Sequence, residues 1–87
     1  MKTIIENVQG EGFESLLGEV VTIFGAIYIY TGKLVGVDAT CIKLENPSIV
    51  YETGGFSEKN WKDAQALPSK FLYIQIGMIE AFGIVKQ

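Results

Sequence analysis

Histidine and arginine are both absent from this 87-residue chain, and cysteine and tryptophan each occur once. Without histidine there is no imidazole to serve as acid, base or metal ligand near neutral pH. Without arginine there is no planar fork for a bidentate grip on phosphate or a guanine edge. All seven basic residues are lysines, set against ten acidic ones, for a net charge of −3. Attraction to nucleic acid over the whole molecule is therefore weak or repulsive, and any such binding has to come from a local site. Cys41 has no partner for an intrachain disulfide and does not constrain the compartment. A cytoplasmic location is the default expectation.

Long hydrophobic runs are missing too. The longest, Val20 to Tyr30, is broken by Thr22 and Gly25 and is too short to span a bilayer. Lys2 and Glu6 do not make the basic-then-apolar pattern of a leader. No membrane partner is expected. Catalytic patterns are equally scarce. The one thiol sits in an apolar segment, and no carboxylate pair stands in a recognisable arrangement. The pieces Gln9-Gly10-Glu11-Gly12 and Gly54-Gly55 lack the lysine-serine pattern of a phosphate loop. No metal-ligand cluster is evident. The expectation is a non-enzyme with no cofactor, no metal and no small-molecule substrate.

What the chain does have is apolar surface. Hydrophobic residues make up 48% of it, which is high for a lone domain of this size. A small fold buries a low fraction of its surface, so the surplus points to subunit interfaces. The length fits one domain, residues 1–87.

Along the chain, residues 1–13 read as an N-terminal arm, and Glu14 to Gly18 as a short helical turn stopped by glycine. Val20 to Phe24 is a β-branched strand, with a tight turn expected at Gly25-Ala26. Ile27 to Asp38 is a long strand with glycines at 32 and 36, the mark of bulges or sharp bends. Thr40 to Leu44 forms a third strand, broken or bulged at Asn46-Pro47-Ser48 before Ile49 to Tyr51 resumes. Residues 53–69 are polar and read as a variable loop, with a helical turn near Asn60 to Ala64. Phe71 to Phe82 is a final apolar segment that bends at Gly77 into two strands. The pattern predicts a mainly β fold: a small, strongly bent, five-stranded antiparallel barrel with a short N-terminal helical turn.

The order of elements resembles the Sm-like family (LSm- and Hfq-like proteins). The first Sm motif is matched by Val20-Val21-Thr22-Ile23, Gly25, Gly32, Leu34, Gly36 and Asp38, with Asn46 closing the third strand. The second is echoed by Ile74-Gln75-Ile76-Gly77-Met78-Ile79-Glu80. A generic SH3-like barrel or a small phage-type structural domain is the competing reading of the same alternation. The resemblance implies a homo-oligomeric ring of six or seven subunits, with the fourth strand of one subunit paired to the fifth of the next. The interface would then draw on Phe71, Tyr73, Ile74, Ile76, Met78, Ile79 and Phe82. Edge pairing also answers a physical need, because an unpaired apolar edge invites aggregation.

The resemblance further implies single-stranded RNA bound around a pore. Here the family's stacking ring and reading amide are replaced by Thr40 and Ile42, and its arginine by Gln75 or Ile76. The residues left to bind RNA are Asp38, Thr40, Lys43 and Gln75, joined by Trp61 and Lys62 on the variable loop. Each also has a plainer reading. Asp38 is the more usual turn cap, Lys33 and Lys43 suit a solvated strand face, and a loop tryptophan often plugs the barrel. Two functions are therefore expected. One is an RNA-binding chaperone or regulator ring with an altered base pocket; the other is a structural or protein-interaction ring without RNA.

Overall fold

The computed structural model describes residues 11–86. The arm expected over residues 1–13 therefore lies mostly outside the described residues. A 3₁₀ turn spans Gly12–Leu16, where a short helical turn is predicted. Six strands follow: β1 (Val20–Gly25), β2 (Ile29–Val37), β3 (Cys41–Glu52), β4 (Asp63–Ala66), β5 (Phe71–Gln75) and β6 (Ile79–Gly83). A second 3₁₀ turn, Ile76–Met78, joins β5 to β6 where the sequence places the bend at Gly77. All pairings are antiparallel, in the order β4-β3-β2-β1-β6, with β5 also pairing β3.

The mainly β character is as expected, but the strand count is six rather than five. The extra strand is β4, which begins at Asp63, inside the segment read as a helical turn near Asn60 to Ala64, and runs on to Ala66. Its backbone joins the ladder of β3, with Ser48 opposite Ala66 and Val50 opposite Ala64. A four-residue stretch gains more from an existing strand edge than from an isolated helical turn, whose nucleation is unfavourable.

Of the break or bulge expected at Asn46-Pro47-Ser48, β3 shows the bulge: its register with β2 shifts where Asn46 and Pro47 stand opposite Gly32. It runs unbroken for 12 residues and bends at Asn46-Pro47. Before the bend it pairs with β5, from Cys41 opposite Gln75 to Glu45 opposite Phe71. After it, the same edge pairs with β4. Asn46 adopts φ 52°, a left-handed conformation that asparagine tolerates better than most residues. Its N–H donates to Lys70 O at 2.7 Å, and Leu67 N–H donates to Pro47 O at 2.9 Å, so both sides of the bend are tied down.

Gly32 on β2 makes room for the bend. The β2–β3 register shifts between Thr31 and Lys33, leaving Gly32 at the irregularity. A Cβ there would sit 3.1 Å from Glu45 O and 3.3 Å from Pro47 Cα. Both are backbone atoms of the bend, so neither can move aside cheaply.

The core follows the alternation of the strands. Val21 and Ile23 of β1, Leu34 of β2, Ile42 and Leu44 of β3, and Ile74 of β5 form one buried cluster. Burying each such side chain contributes about 1.5–3 kcal/mol. Phe13 and Leu16 of the first 3₁₀ turn pack against this cluster, and the Phe13 ring stacks on Phe82 with centroids 3.9 Å apart.

Replacing Gly32 by valine is expected to lower the unfolding free energy by about 1–3 kcal/mol, the usual cost of overpacking. Urea denaturation checks this, and an unchanged midpoint would show that β3 does not press on β2 at the bend.

Candidate functional site

The β2–β3 turn is organised by one carboxylate. Asp38 Oδ1 accepts hydrogen bonds from Thr40 N–H at 2.8 Å, Cys41 N–H at 2.9 Å and the Thr40 hydroxyl at 3.1 Å. Asp38 N–H in turn donates to Cys41 O at 3.0 Å, closing the turn. Asp38 therefore caps the turn through Oδ1, in keeping with the plainer of its two readings. The backbone N–H of Thr40, then that of Cys41, then the Thr40 hydroxyl hold its carboxyl below the ordinary 3.8. All three bonds favour the ionised form.

The turn places Thr40 beside β5. Ile76 N–H donates to Thr40 O at 2.9 Å, which carries the β3–β5 ladder one step beyond the Cys41–Gln75 pair. Strand alternation then sorts the side chains. Ile42, Leu44 and Ile74 go inward to the core. Cys41, Lys43 and Glu45 share the outer face with Gln75, Tyr73 and Phe71, their direct partners across the ladder.

A basic and aromatic strip results. Lys43 Nζ lies 4.1 Å from the centroid of Phe71 and 5.6 Å from that of Tyr73. Lys70 Nζ approaches Phe71 at 5.5 Å. Tyr73 is 62% exposed, the most open aromatic side chain on the sheet. At one end of the strip a cavity of about 630 Å³ is lined by Thr40, Cys41, Tyr73, Gln75, Ile76 and Gly77. A smaller concavity, about 240 Å³, continues past Tyr73 to Lys43 and Asp38.

Four of the residues predicted to bind RNA, Asp38, Thr40, Lys43 and Gln75, are thus gathered around one end of the β3–β5 ladder. The other two are not part of this group. Lys62 Nζ pairs with Glu52 at 3.3 Å, and Trp61 lies edge-on to Phe56, with centroids 6.4 Å apart. Tyr73 and Phe71, assigned by sequence to the interface, stand in the strip itself, and Lys70 was overlooked. The alternation of Phe71, Tyr73 and Gln75 against Leu72 and Ile74 carried that signal. What it lacked was the register that sets Lys43 opposite Tyr73.

The remaining predicted interface residues divide. Ile74 is buried in the core within a single chain, so its side chain is not offered at the surface. Ile76 and Ile79 are half-buried against the core, while Met78 and Phe82 are exposed. β5 pairs only with β3, and β6 only with β1, so each leaves one hydrogen-bonding edge open among the described residues. Beside the β5 edge, an apolar cleft of about 240 Å³ is lined by Ile27, Tyr28, Tyr30, Leu72, Tyr73 and Met78. Ile27 at its rim is 76% exposed.

Among the described residues, no three acidic or thiol side chains stand close enough to hold a metal ion, and no helix is long and apolar enough to cross a membrane. The chain matches no protein-family model, and no curated protein matches it.

Removing the Asp38 cap tests the turn. Asp38→Ala is expected to lower the melting temperature at neutral pH, whereas Asp38→Asn keeps the Oδ1 acceptor and loses less. Because folding lowers the Asp38 pKa, the cap stabilises above the ordinary carboxylate range and fades as pH falls through the lowered value. The gap between wild type and Asp38→Ala should therefore close in acid. Circular dichroism melts over a pH series read this directly, and a pH-independent gap would contradict it.

Proposed function

We propose that this chain is an Sm-like barrel that assembles edge to edge into a ring and binds single-stranded RNA on its β3–β5 face. The observation that carries the reading is Tyr73: an exposed ring with Lys43 across the ladder and Gln75 two residues along the strand. That trio supplies a stacking surface, a cation for phosphate and an amide for a base edge. Thr40 adds a hydroxyl at the same cavity. The stacking ring that the turn lacks is, on this reading, provided from β5.

Support for the barrel and ring comes from topology. A β1-β2-β3 meander, then β5 returning to β3 and β6 to β1 across one 3₁₀ turn, is the Sm-like order with β4 inserted. The open edges of β5 and β6 can pair between subunits, and the cleft with Ile27, Tyr28 and Met78 would be covered when they do. Edge pairing uses backbone groups, while Tyr73 and Gln75 project from the sheet face. Tyr73 also lines that cleft, so pairing would bring the strip to the subunit boundary, and ring symmetry would multiply a weak local site.

The second reading is a structural or protein-interaction ring that binds no RNA. The net charge of −3 and the lack of arginine favour it.

Labelled U-rich and A-rich oligoribonucleotides, titrated over a salt series, separate the two. Binding that weakens with salt is expected, and Tyr73→Ala should reduce it by about 1–3 kcal/mol, or roughly five-fold to a hundred-fold. No binding at low salt would leave only the structural ring. Light scattering tests assembly separately: a uniform monomer at micromolar concentration would overturn the ring.

A further inference from the structure

The second basic-aromatic locus has a different construction. Lys86 is only 4% exposed, and its ammonium donates to three backbone carbonyls: Thr53 at 2.7 Å, Gly55 at 2.8 Å and Asn60 at 3.1 Å. The same Nζ lies 4.8 Å from the centroid of Trp61 and 5.7 Å from that of Phe56. These contacts satisfy all three N–H donors, yet none of them cancels the charge. Among the described residues no carboxylate forms a salt bridge with it; the one such bridge joins Lys62 to Glu52. Dipoles and ring faces can solvate a buried cation, but its field persists into neighbouring space.

That neighbouring space is a cavity of about 430 Å³ between the β2–β3 bend and the 53–62 loop. Lys33, Lys59 and Lys86 line it together with Glu45, Trp61 and Asn60. The lining thus holds three lysines and one carboxylate, Glu45, which stands opposite Lys33 in the β2–β3 ladder. Lys33 and Lys59 are exposed at the rim and have no salt-bridge partner among the described residues. The volume is within the range of small-ligand sites.

We propose that this cavity is a nucleotide site, taking a phosphate between Lys33 and Lys59 and its base against Trp61. Lys86 holds the loop that carries Trp61 and supplies a fixed positive potential behind the phosphate. The shared chemistry is a 5′-phosphorylated nucleoside, whether free or as one unit of a single strand. The site is separate from the Tyr73 strip, goes beyond the RNA-binding reading and does not depend on it.

Trp61 is the only tryptophan, so the tryptophan emission comes from the wall of this cavity. The full chain is titrated with uridine monophosphate, adenosine monophosphate, uridine, inorganic phosphate and a U-rich oligonucleotide. A saturable change in Trp61 emission is expected with the monophosphates, weakening with salt, and little with uncharged uridine. The double variant Lys33→Gln/Lys59→Gln, checked by circular dichroism for an unchanged fold, should weaken it about tenfold or more, as expected for lost charge-assisted contacts. A response to the oligonucleotide as well as the monophosphates places the source in a strand; a response to monophosphates alone places it in free nucleotide. The proposal is overturned if no probe gives a saturable response, if inorganic phosphate binds as tightly as the monophosphates, or if the folded double variant binds unchanged. Tyr73→Ala separates this site from the strip: it should leave the Trp61 response to monophosphates intact. Loss of oligonucleotide binding in that variant bears only on the strip.

Discussion

The fold depends on the bend in β3. One 12-residue strand has to serve β2 along one side and two different partners along the other. A straight strand would offer β4 and β5 a single continuous edge. With Asn46 at φ 52° and buried Pro47 next to it, the edge is divided into two separately directed halves. Proline is apt at such a point because it has no N–H to leave unpaired when the ladder changes hands. The bend also demands a concession from β2, and Gly32 supplies it by bringing no side chain where Glu45 and Pro47 approach. Three residues from two strands are therefore mutually required. Their effect reaches outward, because β5 carries the Tyr73 strip and β4 closes the loop that encloses Lys86.

This division explains how an acidic chain presents two basic surfaces. Net charge is a sum over the molecule, whereas a ligand samples the field within about a Debye length. Lys43 and Lys70 gather on the β3–β5 half of the sheet with Phe71 and Tyr73. Lys33, Lys59 and Lys86 gather near the bend with Trp61. Two of the carboxylates are engaged: Asp38 caps its turn and Glu52 pairs with Lys62.

Several parts of this arrangement were legible in the sequence for local reasons. The β-branched runs marked β1 to β3, glycines 32 and 77 fell where the chain irregularities are, and Asp38 preceded a turn that its own side chain closes. What was not legible depended on partners distant along the chain. The 63–66 segment has a weak preference of its own, and it becomes a strand against the free edge of β3. Asn46-Pro47 looks like a strand terminator locally. Pairing with β2 on both sides, and the contacts of Asn46 N–H with Lys70 and of Pro47 O with Leu67, carry the strand through it. Tyr73 was recognised as an edge-strand aromatic, but its place beside Lys43 required the β3–β5 register.

Lys86 shows the same limit most clearly. Its carbonyl partners lie 26 to 33 residues earlier, in a loop whose sequence suggests nothing but polarity. Three carbonyls converging on one point suit a compact ammonium with three donors, and a planar guanidinium would have to leave part of its fork unmatched. The lack of arginine, which excludes bidentate recognition elsewhere, is no handicap at this position. Glycines 54 and 55 weaken any intrinsic preference of the 53–62 loop for one shape. A cation that draws Thr53, Gly55 and Asn60 to a common centre fixes both arms of the loop at once, and with them the indole that walls the cavity. Order in the loop thus comes from a side chain that also lines the cavity, which makes Lys86 a structural part of the surface it faces.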